Sequence, residues 1–300
     1  MPPLFLHCTW RTGSTYLFSK FRNDERNLCF QEPLHEIFSR SQRDGILSFR
    51  SEQLANVMHH PQLERPYFEE FVDLIDPRVG RIPWARERHT IREFFSPKDV
   101  RVERYLQSML DLAKRRDRRA VLQFCRTYGR LPWLRRAFDV RHAYVFRAPR
   151  DQWMSCLSVG PEYFLPLFCV IAALRDQDYR KALSAKLTIP LPSRGWLFGW
   201  LYPIKIEKVL KRANAYVRQL TDADLYRIFY GEWLLAMRLG EKYCEDIVDM
   251  NRLSEDADYR RQVEEAWQVS LVDCRIPRYD TYRLSASEML EIEAERSQSP

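Results

Sequence analysis

Short apolar runs that stop at a charged or small residue recur along this chain, with helical spacings between most of them. Leu4–His7 runs into Arg11, Gly13, Ser14 and Thr15, after which residues 16–22 take up a helical pattern. Asn27–Gln31, with Leu28 and Phe30 apolar, ends at Glu32; residues 120–124 lead to Arg126, and residues 142–146 end at Arg147. Strand-like runs separated by helices predict an α/β fold of three layers, a parallel central sheet with crossover helices on both faces. Ligands of such sheets bind beyond the carboxyl ends of the strands, so these four end points are expected to cluster. Residues 247–250 predict one further strand. Residues 205–245 predict two amphipathic helices, whose stripes (Ile206, Val209 and Leu210; Phe229, Trp233, Leu234 and Met237) read as core.

Residues 50–117 are charged and aromatic, helical in pattern, and punctuated by prolines at 61, 66, 77, 83 and 97. A helical insertion or lid over residues 41–117 is the expectation, with a helical C-terminal half. Residues 1–285 then form one domain, and 286–300 an acidic tail that reads as a short helix with a polar end expected to fray. The formal charge of +7 fits an anionic cofactor or substrate, but also nucleic acid or a membrane surface. No nucleic-acid module pattern occurs, and the basic run 114–119 reads as a solvated helix end. Seven scattered cysteines without a C-x-x-C spacing suit free thiols in a reducing compartment. No stretch approaches the ~18 apolar residues that span a bilayer. The greasiest pieces, 164–174 and 196–206, read as core or as the wall of an acceptor pocket. No membrane partner and a cytoplasmic location are expected. No metal is expected either: His59 and His60 are adjacent, and the other histidines lack ligand spacing.

The stretch from His7 to Leu17 reads as a phosphate cradle. A strand that stops in a small-residue turn and restarts as a helix leaves backbone N–H groups and the helix dipole facing an anion, and Arg11 adds a full positive charge. The nucleoside-triphosphate loop G-x-x-x-x-G-K-[ST] is not matched, because Ser14 stands where its lysine belongs and no glycine stands five residues before Gly13. Residues 141–155 repeat the theme: Arg147 follows an apolar run, Pro149 breaks it, and Ser155 lies about one turn into the next helix. A guanidinium and a hydroxyl there suit a second phosphate; an arginine capping a turn beside a packed serine is the plainer alternative.

The pair R-T-G-S-T-Y (Arg11–Tyr16) and R-x-P-x-x-x-x-x-S (Arg147–Ser155) resembles the two motifs of sulfotransferases that use 3′-phosphoadenosine 5′-phosphosulfate (PAPS). The resemblance covers about residues 4–40 and 118–160 and implies a P-loop-kinase-like fold. It implies that Arg11, Thr12, Gly13, Ser14 and Thr15 hold the 5′-phosphosulfate, and Arg147 and Ser155 the 3′-phosphate. Tyr16 falls where many members stack an aromatic on adenine. The turn Glu32-Pro33-Leu34 resembles carbohydrate-type members, which implies Glu32 as the base, with His35 and Glu36 as rivals; alternatively Glu32 merely caps the following helix. Arg126 and Arg130 are candidates for binding an anionic acceptor or for clamping PAPS, or else are solvent-facing helix arginines. The C-terminal G-x-x-G-x-x-K loop of many members has no match, and Arg278 is a possible substitute for its phosphate contact. The expected reaction is in-line sulfuryl transfer from PAPS, without metal, to a hydroxyl or amine of a carbohydrate or small molecule. A nucleotide kinase or phosphatase with a degenerate loop, and a non-catalytic anion-binding protein, are the alternatives.

Overall fold

Continuous apolar runs such as Leu4–His7 are what a strand needs when both faces of its sheet are covered. In the computed structural model, which describes residues 1–40, 42–49, 63–199, 205–277, 279 and 283–297, β1 (Leu4–His7), β2 (Asn27–Gln31) and β3 (Arg119–Phe124) are buried at every position. With β4 (Arg141–Phe146) and β5 (Asp246–Asp249) they form a five-stranded, all-parallel sheet in the order β2-β3-β1-β4-β5, flanked by helices in a three-layer α/β arrangement. The register aligns His7 with Phe124 on one side and with Tyr144 on the other. β1 and β3 therefore end level with one another, β4 runs two residues past them to Phe146, and β2 continues the edge through the pair Gln31 and Gln123.

The helices are α1 (Ser14–Arg22), α2 (Arg43–Leu47), α3 (Val100–Arg115), α4 (Leu131–Ala137), α5 (Pro149–Leu157), α6 (Pro161–Leu174), α7 (Gln177–Ser184), α8 (Arg194–Phe198), α9 (Ile206–Val217), α10 (Asp222–Tyr243), α11 (Met250–Glu255), α12 (Ala257–Trp267) and α13 (Ala286–Ser297). The step from β1 to β2 runs along the sheet in the opposite sense to the steps from β2 to β3 and β3 to β4. Right-handed crossovers then put α1 on one face and α3 and α4 on the other. The α3/α4 face holds a core of Phe5, Phe30, Leu122, Phe124, Leu106, Met109 and Leu134. Two compact units can be told apart: 1–148 with 239–276, which contains the whole sheet, and 149–238 with 277–300.

The described part of the expected insertion is less helical than its pattern suggests. Residues 63–99 form turns and short 3-10 segments (Glu69–Leu74, Glu87–His89), because prolines 66, 77, 83 and 97 interrupt every longer helix. Its last part, α3, is the ordinary crossover into β3. The expected acidic helix near the C-terminus is α13, whose Met289 and Ile292 bury one apolar stripe within the second unit. All seven cysteines are free thiols. Among the described residues no helix is long and apolar enough to cross a membrane.

Candidate functional site

Because β1 is central, its loop opens between those of β3 and β4. The β1–β3 ladder extends one residue further, Cys8 N–H donating to the Phe124 carbonyl at 2.9 Å. The chain then turns through two left-handed residues, Arg11 (φ 68°) and Gly13 (φ 99°). Gly13 is there for a physical reason: side chains rarely adopt this backbone, and a Cβ would lie 3.0 Å from Met250 Cε. Gly13 is also the N-cap of α1, so no side chain caps the first turn, which carries no acidic residue. An uncapped, uncharged helix start is the condition under which backbone amides take an anion.

The hydroxyls of this loop have partners within the protein. Thr12 Oγ1 donates to the Thr9 carbonyl (3.2 Å), Thr15 Oγ1 lies 3.4 Å from the Tyr67 hydroxyl, and Ser14 Oγ lies 3.8 Å from Cys125 Sγ. The Tyr16 hydroxyl donates to the carbonyls of Leu271 (2.9 Å) and Val272 (3.1 Å), and Lys20 Nζ stands 5.3 Å from its ring. Tyr16 thus ties α1 to the turn after α12, an anchoring contact its motif position does not suggest.

Glu32 follows β2 directly. Its N–H donates to the Gln123 carbonyl (2.8 Å), its backbone is left-handed (φ 43°), and its carbonyl accepts from His35 N–H (2.9 Å) to close the Glu-Pro-Leu-His turn. Tyr105 donates to the Pro33 carbonyl (2.9 Å) and pins that turn to α3. The cap of the following 3-10 segment, Glu36–Ser39, is His35, whose Nδ1 accepts from Ile37 N–H at 3.3 Å. Glu32 is therefore not the cap. Burial, opposed by the Glu36 carboxylate, lowers the pKa of His35 and favours the neutral ring.

Arg126, two residues past β3, joins these loops. Its Nη1 lies 3.1 Å from Glu36 Oε2 and its Nη2 3.7 Å from Glu32 Oε2, and the guanidinium sits 5.8 Å from the ring of Trp10 in the first loop. Burial alone would raise the Glu36 pKa, but Arg126 and then His35 outweigh it and bring it down to about 2. Arg126 is therefore buried rather than solvent-facing, its guanidinium set against two carboxylates. Arg130 is 1% exposed, and its donors reach the carbonyls of Arg126 (3.2 Å) and His89 (2.8 Å). Burial brings its pKa down to about 10. It braces backbone.

Arg147 is the first residue after β4 and is 2% exposed; the next N–H, of Ala148, donates to Asn251 Oδ1 (2.7 Å). Arg11 and Arg147 therefore follow adjacent parallel strands at one sheet edge. Ser155 is a buried residue of α5, in the second unit. Arg278, His59 and His60 lie outside the described residues.

Sequence reasoning gave no role to Trp10, Tyr67 or Asn251; Trp10 lies in the 7–17 stretch but before its R-T-G-S-T-Y motif, and the other two stand in no motif. The pairing of β2 with β3 is the one feature that could have suggested the contact between Glu32 and Arg126. A scan against models of known protein families finds no match to this chain, and a search of curated proteins finds none either.

Proposed function

We propose that this protein is a sulfotransferase that takes its sulfuryl group from PAPS and passes it to a hydroxyl or amine of a small or carbohydrate acceptor. The observation that carries this reading is the pair of arginines, Arg11 and Arg147, after the adjacent strands β1 and β4, with the Glu32–Arg126 pair after β2 and β3 on the same edge. Two cationic points flanking an uncapped helix start suit a ligand with phosphates at both ends of one ribose. PAPS supplies an activated sulfuryl group on a bisphosphate leaving group. Arg11 and the amides at the start of α1 offset the charge that grows on that leaving group. Glu32 accepts the acceptor's proton as the new bond to sulfur forms, its carboxylate facing the Arg126 guanidinium 3.7 Å away. The resemblance of the two motifs and of the Glu-Pro-Leu turn supports the same assignment.

The test is a thermal-shift titration with adenosine 3′,5′-bisphosphate in the absence of magnesium. Saturation at a hundredfold over Kd stabilises by about 2.7 kcal/mol, and the shift is expected to vanish in Arg11→Ala and Arg147→Ala. Glu32→Gln is expected to keep the shift and lose about a hundredfold or more in sulfuryl transfer. Stabilisation by Mg-ATP alone, or by polyanions regardless of nucleotide, overturns the reading.

A further inference from the structure

The 87–99 segment brings together three residues that the chain separates by four and six positions. His89 Nε2 lies 3.4 Å from Asp99 Oδ2 and 3.9 Å from Glu93 Oε2, and one donor atom from each of the three falls within 4.8 Å of the others. His89 is 2% exposed, yet neither of its ring nitrogens has a hydrogen-bond partner, and Glu93 Oε2 has none. A buried polar group left without a partner costs about 1–3 kcal/mol. An imidazole enclosed in this way beside two carboxylates is a donor set waiting for an acceptor.

We propose that His89 Nε2, Glu93 Oε2 and Asp99 Oδ2 bind a divalent transition-metal ion of the zinc class. Four ligands at about 2.0–2.1 Å around a tetrahedral ion stand about 3.3 Å apart. The two histidine–carboxylate separations, 3.4 and 3.9 Å, are already close to that. One imidazole nitrogen with two carboxylate oxygens is a mixed set that suits zinc better than calcium or magnesium, which take oxygen ligands. The remaining oxygens are fixed from behind: Glu93 Oε1 by Arg88 Nε at 3.0 Å, and Asp99 Oδ1 by the N–H groups of Arg101 (2.8 Å) and Val102 (3.3 Å) at the start of α3. Such outer partners aim the ligands and leave one free oxygen on each carboxylate. A water fills the fourth position.

The ion would act as a clip. It fastens the irregular 87–99 segment to the first turn of α3, and the His89 carbonyl passes that fixation through Arg130 to the backbone of Arg126. Nothing in the Glu32 chemistry requires it.

The experiment uses the full chain, stripped by chelator dialysis and titrated with zinc chloride alone, followed by calorimetry and thermal shift. One equivalent is expected to bind and to raise Tm by at least about 3 °C, whereas magnesium chloride does neither. His89→Ala and Glu93→Gln are each expected to abolish the uptake; Glu93→Gln keeps the side chain's shape and so guards against a variant that fails to fold. Seven free thiols could also take zinc, so the ion is replaced by cobalt(II). An absorption spectrum without thiolate charge transfer is expected. Absence of one-equivalent uptake, uptake that survives in both variants, or a thiolate charge-transfer band would each overturn the proposal.

Discussion

Where β1 ends beside β4, two imidazoles lie edge to edge in nearly one plane, their centroids 5.2 Å apart and ring planes 3° from parallel, with His7 Nε2 3.0 Å from His142 Nδ1. His7 Nδ1 shares a second hydrogen bond with the Thr127 hydroxyl (2.8 Å). Burial depresses both pKa values, that of His142 to about 4 and that of His7 well below its usual range, the neighbouring His142 adding to the second effect. The unfolded chain binds these protons near pH 6.5 and the folded one does not. Their contribution to stability is thus complete above about pH 6.5 and is lost as the pH falls toward 4. For His142 alone this amounts to on the order of 3 kcal/mol. Thermal unfolding followed from pH 8 to pH 5 is expected to show Tm falling below about pH 6.5, and His142→Phe to flatten that slope while lowering Tm at pH 8. An unchanged slope in the variant would remove the pair as its source. At this scale the sequence was least informative. Arg126 and Arg130 carry the same local pattern as surface arginines, and only the turn after β2 and the 63–99 segment make one the partner of two carboxylates and the other a backbone brace. His89, Glu93 and Asp99 could not be grouped by spacing either, because the turns between them follow no helical period.

Regular elements were legible for a definite reason. A strand buried on both faces must be apolar at nearly every position, so β1 and β2 matched their expected limits, and β3, β4 and β5 fell within a residue of theirs. The two helices of 205–245 showed themselves by their stripes. Residues 63–99 obey neither periodicity, because their order comes from side chains such as Phe68 and Phe71 packed into the core. Glycine in α10 illustrates how contact overrides propensity. Gly240 passes so close to β4 that an added methyl would overlap the Tyr144 ring. Gly240→Ala would gain about 1 kcal/mol of helix propensity, yet overpacking costs about 1–3 kcal/mol. A lower urea midpoint than that of the natural chain is the expected result, and a higher one would show that α10 can shift outward at no cost.

Across the whole molecule the thiols give a simple gauge of order. Six of the seven cysteines are buried, and Cys244 is partly exposed. A colourless disulfide reagent that releases a coloured thiolate is expected to titrate at most one group rapidly in the native protein and all seven in denaturant. Fast reaction of several would mean that the sheet opens readily. The expectation of free thiols from scattered, unpaired positions needed no three-dimensional information. The division into two compact units did, because nothing in composition changes at residue 149 or 239.

The position of β1 has a further consequence for how the chain is made. Its four residues sit at the middle of the sheet, yet their partners are Val121–Phe124 and Arg141–Tyr144. At ~5–20 residues per second of synthesis, the first strand waits on the order of ten seconds before either neighbour exists. Until then its apolar run has no sheet to join, and pairing so distant in sequence is slow even afterwards. Nascent chains arrested before residue 121 are therefore the ones in which this segment stays open to chaperones.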